Sequence, residues 1–128
     1  MSFISDYDQA SMDEMQLVNK KIDRLFISMT YADPKDRGYE QFKAAYLDID
    51  VELNALRTMQ AVRPMNELTV KQVDILLNLW KQERAGHQKS KGMSNFIIKL
   101  HRSQYNRLLM AMIKGESAKP KDSKSKSK

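Results

Sequence analysis

The sequence predicts an all-α protein, a small four-helix bundle with a disordered basic tail at its C-terminal end. Apolar residues recur at intervals of three and four residues in four segments, which is the period of a helix with one buried face. The chain has 128 residues, the length of one typical domain, and only 4 Gly and 3 Pro to interrupt helices. A single helical domain over residues 11–115 is therefore expected.

The first predicted helix covers residues 12–31 and follows a short arm of residues 1–10. Ser11 and Glu14 match a capping box, in which two side chains satisfy backbone N–H groups at the helix start. Pro34 disfavours helical geometry in the residue before it, so the helix should end in a tight reversal of the chain.

The second predicted helix, residues 39–62, carries two apolar stripes. One should pack against the first helix and form an acidic, antiparallel hairpin of residues 11–62. The other needs a further partner: we expect the two later helices to cover it, and the alternative is an interface between subunits. This helix is also predicted to be longer than the first, which favours self-association. The second stripe consists of Ala44, Val51, Ala55, Met59 and Val62.

The third predicted helix covers residues 70–84. Thr69 and Gln72 match a second capping box and mark its start. Gly86 is expected to end it, because glycine weakens a helix interior and is common just beyond a helix end. Residues 87–92 contain two lysines and no apolar residue, which predicts an exposed basic loop.

The fourth predicted helix begins after Ser94, a favourable capping residue, and ends at Gly115. Its apolar face should be buried in the bundle. Together with the third helix and the loop, it forms the basic half of the domain, residues 69–115.

Charge is divided unevenly along the chain. Residues 1–60 hold 7 Lys/Arg against 11 Asp/Glu, whereas residues 61–128 hold 15 against 5. The two parts therefore carry net charges of −4 and +10. Positive charge concentrated in the C-terminal part indicates an anionic partner for that part.

The outward face of the fourth helix carries side chains that proteins use on nucleic acids. Arg and Lys bind phosphates and guanine, Asn pairs with adenine, and Ser donates to phosphate oxygens. An ordinary solvated helix face has a similar composition, but the lysines in the adjoining loop and tail favour binding. The predicted nucleic-acid-binding residues are Lys89, Lys91, Asn95, Lys99, Arg102, Ser103, Asn106, Arg107, Lys114, Lys119 and Lys121.

The C-terminal segment of residues 116–128 contains five Lys and four Ser, and no aromatic or branched apolar residue. It should be disordered, because it has nothing to bury. A lysine tail attracts polyphosphates by releasing counterions, and this attraction falls steeply with salt. The alternative role of such a tail is to keep the protein soluble.

Two common nucleic-acid-binding modules do not fit the pattern. About nine residues separate Arg84 from Ser94, whereas a helix-turn-helix joins its helices with three or four. The common RNA-binding sheet module needs strands, and this sequence predicts none. A grip on phosphates by the loop, the helix face and the tail is therefore expected.

The residues do not favour catalysis or metal binding. Cysteine is absent, and neither His87, in the predicted loop, nor His101, predicted to be a core histidine, has a convincing catalytic partner. Asp48 and Glu52 lie four residues apart, but the Glu-x-x-His pairs of helical di-metal sites are missing. We expect no enzyme, no cofactor and no metal.

Two classes of function fit these observations. The first is a nucleic-acid-binding accessory protein, of phage or bacterial type, that oligomerises through its hairpin. The second is a helical adaptor or regulator that docks on an acidic protein. The pattern leaves open DNA or RNA, single or double strand, sequence specificity and oligomeric state. The apolar runs are too short to span a bilayer and the start of the chain lacks a secretory signal pattern, so no membrane partner and a cytoplasmic location are expected.

Overall fold

Four helices of 23 residues each make up the fold in the computed structural model, which describes residues 4–90 and 92–121. The prediction that the second helix is longer than the first is therefore wrong. No strand occurs in this described part of the chain, and the predicted all-α bundle is confirmed. The elements are α1 (Gln9–Tyr31), a 3₁₀ turn (Pro34–Asp36), α2 (Tyr39–Ala61), α3 (Glu67–Lys89) and α4 (Asn95–Ser117).

The helices form a closed ring in which each packs against the next and α4 returns to α1. The contact between α1 and α4 is the most extensive, and that between α3 and α4 is the least. Two contacts fix α1 and α4 as antiparallel: Arg102 pairs with Asp23, and Glu116 accepts from the backbone N–H of Asp8.

Every helix contributes one buried aromatic ring to the centre of the core. The ring centroid of Trp80 lies 5.3 Å from that of Tyr46, 5.2 Å from that of Tyr105 and 6.3 Å from that of Phe26. Trp80 is completely buried. These rings join the four helices at one level of the bundle, with aliphatic and methionine side chains above and below them.

The predicted loop of residues 87–92 is wrong over its first part, because α3 continues through Gly86 to Lys89. His87 is the reason. Its side chain is buried, its Nδ1 accepts from the Tyr46 hydroxyl at 2.8 Å, and its Nε2 donates to the Arg37 carbonyl at 2.7 Å. These tertiary contacts outweigh the weak helix preference of glycine.

The predicted capping box of α1 is also wrong. The helix begins at Gln9, and Asp8 caps it by accepting from the backbone N–H of Ser11 at 3.0 Å. Ser11 is therefore inside the helix, where its hydroxyl donates to the same carboxylate. An ionised carboxylate is the stronger acceptor, and Asp8 is held in place because its own N–H donates to Glu116.

The start of α3 likewise lies earlier than predicted, at Glu67, which puts Thr69 inside the helix. The Thr69 hydroxyl accepts from Lys119 instead of capping the backbone. At the other end of the bundle, the prediction for Ser94 is confirmed, because its hydroxyl accepts from the backbone N–H of Ile97 at 3.2 Å.

A polar cluster closes one end of the bundle and ties both ends of the described chain to the α2–α3 connection. We call it the clasp, and its centre is the fully buried carboxylate of Glu116. Arg63 donates to both carboxylate oxygens, at 3.0 and 2.9 Å, and Lys119 lies 3.0 Å away. The members of the clasp are Ser5, Asp8, Arg63, Asn66, Glu116 and Lys119.

The clasp corrects the predicted start of the tail. Glu116 lies within α4, which passes through Gly115 rather than ending there, and residues 118–121 lie against the N-terminal arm. The backbone N–H of Tyr7 donates to the Pro120 carbonyl at 2.8 Å. The rest of the predicted disordered tail, residues 122–128, lies outside the described residues.

The second apolar stripe of α2 is exposed, contrary to the expectation that later helices cover it. Val51 is 58% exposed and Val62 is 77% exposed. The reason is that α1 and α3 both pack beside the first stripe, around Tyr46 and Leu53, and the second stripe faces away from that core. Leu47, 65% exposed, extends this outward apolar surface.

A pair of carboxyl groups lies in the contact between α1 and α2. Burial, together with a hydrogen bond to Glu52, raises the pKa of Glu14 to about 7. Lys21 holds the other side of the pair, with its Nζ 2.6 Å from Glu52 and 2.9 Å from Asp48, and its hydrogen bond lowers the pKa of Glu52. Glu14 therefore keeps its proton, and donates it to Glu52, below about pH 7.

We expect the melting temperature to fall as the pH rises from about 5 to about 8. A folded-state pKa above the ordinary value stabilises the protein at low pH, and that contribution is lost as the pH passes about 7. In Glu14→Gln, the amide donates without a titrating proton, so the fall should be smaller than in wild type. Glu40→Gln, at an exposed position of α2, is the control and should melt with the wild-type pH dependence. Identical pH profiles for wild type and Glu14→Gln would contradict the prediction.

Candidate nucleic-acid interface

Two shallow grooves lie on the outward surfaces of α1 and α4. The groove on α1 has a volume of about 370 Å³ and that on α4 about 400 Å³. We call their combined lining the basic face. Its α1 residues are Lys20, Asp23, Arg24, Ile27, Ser28 and Tyr31, and its α4 residues are Lys99, Arg102, Ser103, Asn106, Arg107 and Met110.

The basic face carries five cations and one carboxylate, a net charge of +4. That carboxylate, Asp23, already accepts from Arg102 across the two helices, with Nε 3.0 Å from Oδ1. The ion pair joins the two grooves, and it leaves a surface with unbalanced positive charge.

The turn-by-turn spacing of α1 explains why its cations face outward. Val18, Ile22 and Leu25 are buried in the core, so Lys20 and Arg24 occupy the opposite side of the helix. The same geometry on α4 buries Tyr105 and Leu109 and leaves Lys99 and Arg107 exposed.

The structure brings together five of the predicted site residues. Asn95 and Lys114 are also exposed, near the two ends of α4. The five that line the α4 groove are Lys99, Arg102, Ser103, Asn106 and Arg107.

Four predicted residues lie elsewhere or outside the described chain. Lys89 is exposed at the end of α3, and Lys91 is not among the described residues. Lys119 is the clearest correction: its side chain is only 9% exposed and bonds Glu116, so burial lowers its pKa despite that ion pair. Lys121 lies over the ring of Tyr7, 3.6 Å from its centroid, at the clasp.

Asn106 lines the α4 groove but is only partly exposed. Its Oδ1 atom is buried without a hydrogen-bond partner, and the same is true of Asn19 on α1. The register set by Asp23 and Arg102 places these two amides near each other, one turn along the helices. A buried Oδ1 cannot reach the edge of an adenine, so Asn106 shapes the floor of the groove.

Sequence reasoning missed the cations that α1 contributes. Lys20 and Arg24 lie in the half of the chain with net negative charge, and this average concealed a local basic surface. The sequence feature that could have revealed them is their four-residue spacing on the side of α1 opposite its apolar residues.

A second concave site lies between the end of α3 and the start of α4, with a volume of about 260 Å³. His101 lines it and is half-buried, not the core histidine that was predicted, and its Nδ1 lies 2.9 Å from the buried carboxylate of Glu83. Burial and the nearby charge of Glu83 raise the pKa of the Tyr46 and Tyr105 hydroxyls. Within the described residues, no group of three or more His, Asp or Glu side chains converges to hold a metal.

The arrangement of α3 and α4 differs from a helix-turn-helix. Contacts run from Lys119 and Thr69 at one end to His101 and Glu83 at the other, so the two helices lie antiparallel along their length. A recognition helix instead crosses its partner steeply and protrudes from it. α3 and α4 therefore do not form a helix-turn-helix.

Comparison with protein-family models, with curated proteins and with solved structures finds no significant match for this chain. Among the described residues, none of the helices combines the length and the apolar character needed to cross a membrane.

Proposed function

We propose that the protein is a non-enzymatic nucleic-acid-binding accessory protein that grips phosphates with its basic face. One observation carries the proposal: five cations from two helices line adjoining grooves, and the single carboxylate among them is already paired. Phosphate backbones bind such surfaces through the release of counterions. The lysines of residues 122–128 supply further sequence-independent attraction.

A binding titration at several salt concentrations tests the proposal. Labelled oligonucleotides should bind with a log affinity that falls linearly with log salt concentration, and different sequences of one type should compete with each other. Binding that is absent at low salt, or that does not change with salt, would refute a phosphate-based grip.

The alternative function is an adaptor that docks on an acidic protein through the same surface. Phe96 and Met110, 72% and 48% exposed, lie among the cations of α4 and favour this alternative, because protein interfaces need apolar anchors. A protein partner would displace nucleic acid from the basic face, and its affinity would depend less steeply on salt.

We also propose that copies of the chain associate through the outward stripe of α2. Its exposed residues Leu47, Val51 and Val62 form an apolar surface on a helix that contributes little to the basic face. Association would place several basic faces on one strand and raise avidity without new contacts. The mass in solution, measured with and without oligonucleotide over a range of protein concentrations, tests this part.

A further inference from the structure

Two aromatic side chains stand exposed at one end of the basic face. Tyr31, at the end of α1, is 88% exposed, and Phe96, in the first turn of α4, is 72% exposed. Among the described residues, no other aromatic side chain is exposed to this degree. Neither ring contributes to the core, so the fold does not account for either of them.

A buried arginine holds these two helix ends together. Arg37, only 3% exposed, donates from Nε to the Ala32 carbonyl at 3.1 Å and from Nη1 to the Met93 carbonyl at 3.0 Å. Ala32 directly follows Tyr31, and Met93 lies three residues before Phe96. Both aromatics are therefore at the same end of the bundle, on a rigid frame.

Cations are interleaved with these rings along each helix. Arg24 lies two turns before Tyr31 on α1, and Lys99 lies one turn after Phe96 on α4. Tyr31 itself lines the α1 groove together with Lys20 and Arg24. The combination of a basic groove and exposed aromatic rings is how proteins hold single-stranded nucleic acid, with phosphates in the groove and bases stacked on the rings.

A duplex would leave these rings unused. Its bases are already stacked on one another, so their flat faces are covered everywhere except at the ends. Reading a duplex instead needs an element that protrudes into a groove about 12 Å wide, and α4 lies flush against α1. An acidic protein could use the same aromatics, but a periodic row of phosphates matches the alternation of cations and rings more closely.

We infer that the basic face binds single-stranded nucleic acid, DNA or RNA, and that Tyr31 and Phe96 each stack on a base. This inference rests on the proposed function and adds the class of ligand to it. Asp33 and Asp36 lie beyond Tyr31 in the α1–α2 connection. Lys35 and Arg37 balance them, so that connection adds no net positive charge to the basic face.

The test compares three fluorescein-labelled probes, a single-stranded oligo-dT, a single-stranded oligo-U and a duplex, each of roughly 12 nucleotides or base pairs. The full-length protein should bind one or both single strands more tightly than the duplex at the same salt concentration. Tyr31→Ala and Phe96→Ala should each weaken single-strand binding by roughly 5- to 150-fold and weaken duplex binding much less. Leu68→Ala, at an equally exposed apolar position on α3, is the matched control and should have no effect.

A Tyr31→Trp variant adds a direct readout. It should keep the wild-type affinity, and its new indole should lose fluorescence when a base stacks on it, whereas Trp80 is buried and should not respond. Preference for duplex, or alanine variants that bind single strands like wild type, would overturn the inference and leave the proposed function standing. Failure of all three probes to bind would overturn both.

Discussion

Glu116→Ala is expected to lower the free energy of unfolding by about 3–5 kcal/mol, although the residue lies in the last turn of the last helix. Its carboxylate is fully buried and accepts from Arg63, Lys119 and the backbone N–H of Asp8. Removing it leaves two cations in the clasp without their anion and one backbone donor without an acceptor. Urea denaturation monitored by circular dichroism measures the loss.

Two further variants make this prediction specific to the clasp. Glu67→Ala, at an exposed position, should cost about 1 kcal/mol or less. Replacing Arg63, Glu116 and Lys119 together by Met, Leu and Met should recover much of the loss, because no charge is then left buried alone. If Glu116→Ala proves as stable as Glu67→Ala, the clasp does not hold the chain ends.

The same carboxylate should make the protein sensitive to acid. Burial acts to raise the pKa of Glu116, but the hydrogen bonds from Arg63, Asp8 and Lys119 outweigh it and hold the pKa below its ordinary value. A lowered folded-state pKa gives stability that is present above the ordinary value and lost as the pH falls through the folded one. This loss of stability in acid occurs at a lower pH than the titration of Glu14.

Apolar periodicity was sufficient to predict the helices and much of the core. Tyr46, Leu53 and Trp80 are buried at positions that repeat at the helical period, because a helix turns 100° per residue and its apolar positions fall on one face. The reversal at Pro34 was correctly placed as the first connection, because proline restricts the backbone of the residue before it.

Helix ends were less predictable, because distant residues determine several of them. The weak helix preference of Gly86 predicts that α3 ends there. The hydrogen bonds of His87 to Tyr46 and Arg37 instead stabilise the helix as far as Lys89. Thr69 matches a capping residue in sequence, but its hydroxyl accepts a hydrogen bond from Lys119 instead. Contacts made across 50 residues of chain leave no trace in a local pattern.

The candidate site was predictable on α4 and not on α1. Lys99, Arg102 and Arg107 stand on one helix, so their common face could be read from spacing alone. The contribution of Lys20 and Arg24 depends on α1 lying beside α4, and that pairing is a property of the bundle. The aromatic ends of the face depend on the same pairing.

The final prediction separates the basic face from the tail. Lys99→Glu with Arg107→Glu should weaken nucleic-acid binding on the order of a hundredfold, since like charge against phosphate costs several kcal/mol at a fixed position. Arg102 is left intact, because reversing it would place a second carboxylate beside Asp23 and disturb the contact of α1 with α4. The matched control is Lys71→Glu with Lys81→Glu on α3, which keeps the net charge of the double variant while leaving the basic face unchanged.

Deleting residues 122–128 should have a different effect. It removes three lysines and one aspartate but spares the clasp, so the fold should keep its stability. Binding should weaken equally for all sequences, and the slope of log affinity against log salt should become shallower by roughly 0.7–0.9 for each phosphate that the shortened chain no longer neutralises.

The basic-face variant should instead lose affinity even with the tail present. If that variant binds like wild type near physiological salt while the deletion abolishes binding, the tail is the binding element and the face of α4 is only solvated. If both variants bind like wild type, nucleic acid does not contact either element, and the adaptor function becomes the better account of the basic face.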